Sequence, residues 1–103
     1  MIKTMRSLTI KSGKDVEAME YAVRVAKFMS DNAPGQEMEV WQNLDGSIRR
    51  IHFVATYDSI AAFDEVMSFM GQNEAFIAFQ KENLDQELFD VNSDTRHFFK
   101  TLG

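Results

Sequence analysis

Two alternating runs meet at Asp45-Gly46 within residues 37–57, and their pairing constrains the fold more than any other feature of the chain. Asp-Gly between alternating apolar residues is a strong hairpin signal, because a type I′ turn needs positive φ at both central positions. A two-residue loop sets Leu44 opposite Ser47 and predicts that Val40 faces Ile51 and Met38 faces Phe53. Those apolar pairs share one side of the ribbon, as a buried sheet face requires. The other side carries Glu39, Trp41, Arg50 and His52, with Trp41 expected opposite Arg50 and Glu39 opposite His52.

A chain of 103 residues is expected to be a single domain, spanning 1–103, with a modest core. Its net charge of −5 disfavours nucleic acid and anionic membranes as partners, because both demand clustered Lys and Arg. The only adjacent basic pair is Arg49-Arg50. No apolar run approaches the ~20 residues that span a bilayer, and the first residues carry no signal-peptide core. A cytoplasmic location is the expectation. The absence of cysteine excludes disulfides and thiolate chemistry.

Around the hairpin, residues 2–11 read as a first strand, with Leu8 and Ile10 alternating with Ser7, Thr9 and Lys11. Ser12 is the expected cap of a first helix. Val16, Met19, Ala22, Val23, Ala26, Met29 and Ala33 form its expected core stripe, and Pro34-Gly35 its stop. Tyr21, Val25 and Phe28 make a second, narrower stripe that asks for another partner, which residues 74–89 can supply. Asp58 and Ser59 can cap a second helix built on Ile60, Phe63, Val66, Met67 and Met70 and ending near Gly71. Residues 74–89 read as helical with apolar groups on two sides, either one helix between two surfaces or two short ones. Asn92-Ser93-Asp94 then reads as a turn before a last strand over 95–102.

The order β-α-β-β-α-(α)-β is the split βαβ pattern of an α+β, ferredoxin-like fold, an antiparallel four-stranded sheet with helices on one face. With that element order, and with the tail Asn92-Ser93-Asp94-Thr95 followed by Arg96-His97-Phe98-Phe99, the chain resembles the dimeric α+β barrel superfamily. That superfamily includes antibiotic-biosynthesis-type monooxygenases, NIPSNAP-like proteins and stress-responsive barrel proteins. The resemblance implies a homodimer whose open sheets pack face to face. It also implies a cofactor-independent monooxygenase or isomerase, should the protein be an enzyme. An Asn, Trp and His oxygenase constellation does not map onto this chain residue by residue.

The candidate chemistry lies on the outer face of the ribbon. Trp41 and Arg50 can stack on and charge-pair with a small aromatic ligand, or simply cover the sheet at a dimer contact. Glu39 beside His52 would favour the imidazolium and suit acid–base catalysis, although a satisfied surface histidine is the commoner arrangement. His97, on the last strand, is the remaining candidate ligand contact. Two histidines on separate strands make weak metal ligands, so no metal and no cofactor are expected. The seven methionines read as core filler, and Asp85, Glu87, Asp90 and Asp94 as a solvated acidic face. Two function classes follow: a barrel that binds or oxidises a small aromatic molecule, or an interaction domain whose open sheet face only forms the dimer.

Overall fold

A computed structural model describes residues 1–33 and 35–103; the expected stop at Pro34 lies outside them. The elements are β1 (Ile2–Ile10), α1 (Asp15–Asn32), β2 (Gln36–Gln42), β3 (Arg50–Tyr57), α2 (Ile60–Gln72), α3 (Glu74–Gln86) and β4 (Phe89–Lys100). All strand pairs are antiparallel in the order β2-β3-β1-β4, so the ferredoxin-like α+β architecture read from the sequence is the one observed. The helices cover the face formed by Leu8 and Ile10 of β1, Ile51, Phe53, Ala55 and Tyr57 of β3, and Met38 and Val40 of β2.

The hairpin keeps its faces but not its partners. Val40 pairs with Phe53, Met38 with Ala55, Trp41 with His52 and Glu39 with Val54. The Trp41–Arg50 and Glu39–His52 pairs are therefore corrected. Only Gly46 of the expected turn has positive φ (82°), and Asp45 does not, so the type I′ turn is not formed. Instead, residues 43–49 make a wider loop closed by Asn43. Its Nδ2 donates to the carbonyls of Asp45 (2.8 Å) and Ile48 (2.9 Å), and its Oδ1 accepts from the Arg50 amide (2.9 Å). The Asn side chain replaces ladder hydrogen bonds that a tight turn would have made. A slip of two residues leaves strand parity intact, so the apolar face stays inside.

In α1 the expected core stripe holds at Ala22, Ala26, Met29 and Ala33 but not at Val16, Met19 and Val23, and the second stripe packs inward as well. Ala18, Tyr21, Ala22, Val25, Ala26 and Met29 are buried, whereas Val16, Met19 and Val23 are exposed. Tyr21 and Phe28 turn toward α3, where Phe79 lies 6.2 and 5.5 Å from their rings. Small alanines let the helix sit close to the sheet, and the larger Tyr21, Val25 and Phe28 fill the gap beneath α3. Ser12 does not cap the helix; α1 starts at Asp15 after Lys14, which makes no side-chain cap. Ser59 does cap α2, accepting from the Ala62 amide at 3.1 Å.

The tail also differs from the sequence reading. α2 runs past Gly71 to Gln72, and α3 is one helix separated from it by Asn73 alone. β4 begins at Phe89, six residues before the expected strand, and the expected turn at 92–94 is an irregularity within it, where the pairing with β1 shifts register between Ser7 and Thr9. Ser93 Oγ accepts from the Thr9 amide (2.8 Å), and Asp90 accepts from the Asn92 amide (3.0 Å), so the polar residues read as a turn stabilise a bulge.

Candidate functional site

Between the helix-covered sheet face and the three helices lies a cavity of about 400 Å³. Its floor is Leu8, Phe53 and Ala55; its walls are Tyr21 and Val25 of α1, Met67 and Met70 of α2, and Phe76 of α3. Leu84 of α3 and Val91 of β4 line it while remaining 66% and 69% exposed, so they mark its mouth. Strand parity places Arg6 on the same face as Leu8, and the regular β1–β4 ladder sets Arg96 opposite it, with Asp94 two residues before Arg96 on β4.

The polar groups of this cavity are ordered. Arg6 Nε and Nη2 donate to the two Asp94 carboxylate oxygens at 3.0 and 2.7 Å, a bidentate pair across β1 and β4. The hydrogen bond from Arg6 holds the Asp94 carboxyl below its ordinary range, against partial burial, and Arg96 adds to the effect. Arg96 itself lies 5.7 Å from the centre of the Phe63 ring and 3.6 Å from Met67 Sδ, and it forms no ion pair among the described residues. It is thus a cation at the cavity without a bound carboxylate. Burial pushes the Tyr21 phenol up to about 12, with Glu82 adding to the shift. Tyr57, raised by burial, is hydrogen-bonded to Thr4, which opposes the shift. Both phenols stay protonated at neutral pH and can donate hydrogen bonds. An apolar chamber with one unpartnered guanidinium and two phenols suits a small planar molecule bearing an anionic group.

The residues singled out from the sequence lie on the opposite, open face of the sheet. Trp41 Nε1 donates to Glu39 Oε2 at 2.9 Å, so the Glu39 carboxylate serves the indole rather than the imidazole. His52 Nδ1 lies 2.7 Å from Ser7 Oγ. Partial burial, then the Arg50 charge, lower the His52 pKa, reversing the direction expected from a Glu39 partner. Arg50 and His52 border a shallow depression under the 43–48 loop. His97 pairs with Met5, in the row that contains Val54, so β1 separates it from His52. The open face thus brings Glu39, Trp41, His52 and Ser7 together, and leaves His97 apart.

Sequence reasoning missed the cavity. The signal was Arg6, a charge in register with inward Leu8 and Ile10, which an inward-facing strand carries only when it is paired or serves a ligand.

No protein-family model matches the chain, and comparison with curated proteins finds no significant match. Solved structures do match over its whole length. A NIPSNAP domain protein from Burkholderia xenovorans superposes with a TM-score of 0.82 at 14% identity, covering 100% of this chain and 96% of that one. A candidate antibiotic biosynthesis monooxygenase from Nitrosomonas europaea gives 0.74 at 15% identity, with all of both chains covered. The fold is the one that these proteins share. SnoaB, a cofactor-independent oxygenase from Streptomyces nogalater, shares this fold with a TM-score of 0.69 at 13% identity, over 99% of this chain and 93% of its own. At these identities the likeness concerns the fold alone. No helix among the described residues is long and apolar enough to cross a membrane.

Proposed function

We infer that this barrel protein binds a small, planar, largely apolar anion, such as an aromatic acid or a phenolate, in the cavity between sheet and helices. The observation that carries this reading is Arg96, an exposed guanidinium with no ion pair among the described residues, lining a chamber whose apolar surface comes from Leu, Val, Met and Phe side chains and whose other two charges, Arg6 and Asp94, pair with each other. Aromatic walls supply stacking, and the guanidinium selects charge. No resident metal or cofactor enters this reading.

The open face fits a second copy of the chain. It presents Trp41, Phe99 and His97 as exposed rings beside Glu37, Glu39, Lys3 and Arg50, a mixture of signs that a two-fold axis can make self-complementary. In such a homodimer Trp41, Arg50 and His52 would contact the partner rather than a ligand.

Calorimetric titration with a series of aromatic acids tests the binding reading. Saturable binding that weakens about tenfold or more in Arg96→Ala is expected, the loss typical of a charge-assisted hydrogen bond. Equal affinity in the variant, or no binding across the series, overturns it. The resemblance to SnoaB makes oxygen uptake with bound phenols the next assay. Uptake extends the reading to an oxygenase, and binding without uptake leaves a ligand-binding barrel.

A further inference from the structure

α3 forms one wall of the cavity, and its attachment differs along its length. Its beginning is tied: Asn73 caps both helices, its amide donating to the Phe69 carbonyl (2.9 Å) and its Oδ1 accepting from Phe76 (3.0 Å). Just beyond its end, Leu88 is fully buried, and its carbonyl accepts from the Lys11 amide at 2.9 Å. Each junction is short. Asn73 alone, in extended conformation, separates α2 from α3, and Glu87 leaves α3 with φ 51°, a left-handed conformation rare outside glycine.

Between those anchors the helix is held lightly. Phe76 is its one buried residue, and Phe79 packs edge-on against Tyr21. Its second half carries Gln80, Asn83 and Leu84 to the cavity, with Leu84 left largely exposed at the mouth opposite Val91. Among the described residues, one polar tie reaches this half from the rest of the fold. Arg24 of α1 makes a bidentate ion pair with Glu82, donating from Nη1 at 3.1 Å and from Nη2, while its guanidinium lies 5.8 Å from the Phe79 ring centre. The pair is partly solvated, so it is weak enough to break and reform.

We propose that α3 is the gate of the cavity, hinged at its two short junctions, Asn73 and Glu87, latched by the Arg24–Glu82 pair, and moving most in its lightly held second half. Opening lifts Gln80, Asn83 and Leu84 from the chamber without unfolding the sheet. Closing on an apolar ligand covers Leu84 and Val91, the two large apolar residues that now line an open mouth. The functional value of the gate rests on the cavity being a ligand site; the motion itself does not.

Amide hydrogen exchange, read by mass spectrometry on the whole chain without ligand, tests the motion. Residues 78–86 should exchange faster than β1 and β3, which report global opening. Arg24→Ala and Glu82→Gln should each speed exchange there a further two- to fivefold, roughly the worth of an exposed ion pair, with β1 and β3 unchanged. The reversed pair, Arg24→Glu with Glu82→Arg, should restore the wild-type rate. Exchange of 78–86 as slow as that of β1 and β3, or a variant effect spread equally over every element, overturns the gate. Stopped-flow binding of anilinonaphthalene sulfonate then reads its use, with association accelerating in the latch variants. If that probe fails to bind, the ligand reading suffers, while the exchange result still decides the gate.

Discussion

Arg6 and Asp94 face each other across β1 and β4 as a bidentate pair at 2.7–3.0 Å, on the sheet face where apolar side chains otherwise dominate. Asp94 lies at the start of the β4 irregularity, two residues from Arg96, which is the ladder partner of Arg6. The pair ties together the β1 and β4 segments that carry Arg6 and Arg96.

A pH dependence follows from that pair. The Asp94 carboxyl is held below its unfolded value, so its contribution to stability is present above about pH 4 and is lost as pH falls through its folded pKa. Both side chains are about a third exposed, which limits the contribution to roughly 0.5–1 kcal/mol. Asp94→Asn should lower the denaturation midpoint at pH 7 and make the stability curve flatter below pH 4. An unchanged acid limb in the variant would count against the pair.

His52 should act in the opposite region. Its folded pKa lies below the ordinary histidine value, so the folded state resists protonation, and stability should fall as pH drops from about 6.5 toward the folded pKa. His52→Gln should remove that part of the slope. NMR titration of the imidazole checks the direction, and a pKa above 6.5 would refute it.

The two faces of α1 separate cleanly by mutation. Met29 is fully buried, so Met29→Ala should cost about 2–5 kcal/mol, whereas Met19→Ala on the exposed stripe should change stability by roughly 0.5 kcal/mol or less. Chemical denaturation of both variants measures this. Similar losses would mean that α1 is rotated so that Met19 also faces the sheet.

Asn43 should matter more than the Asp-Gly pair that follows it. Asn43→Ala removes three hydrogen bonds that close the 43–49 loop and should cost about 1–2 kcal/mol. Asp45→Ala, at a position without positive φ, should cost less. The reverse order in thermal denaturation would favour the tight turn.

Alternation and helical spacing made the element order and sheet faces legible, because a two-residue slip in the hairpin conserves parity. The partners were not legible, since Asn43 satisfies backbone groups that no propensity counts. In α1 both stripes are apolar, and periodicity cannot rank Met19 against Tyr21 when a third helix creates a second packing surface. The polar run 92–94 has turn chemistry, but pairing with β1 draws it into a strand as a bulge. The outer-face residues Trp41, His52 and Glu39 were placed on the right side of the sheet. The cavity depends on Arg6, Asp94 and Arg96 converging from distant segments, and only the tertiary fold brings them together.

Methionine methyl NMR distinguishes the cavity from the open face as the binding surface, because the seven methionines sample both faces of the sheet. Met38, Met67 and Met70 line the cavity, whereas Met5 lies on the open face beside His97 in the β1–β4 ladder. Titration with an aromatic acid that binds should shift Met38, Met67 and Met70 saturably and leave Met5 and Met19 in place. Shifts confined to Met5, with the three cavity methyls unmoved, would place the ligand on the open face and contradict the account.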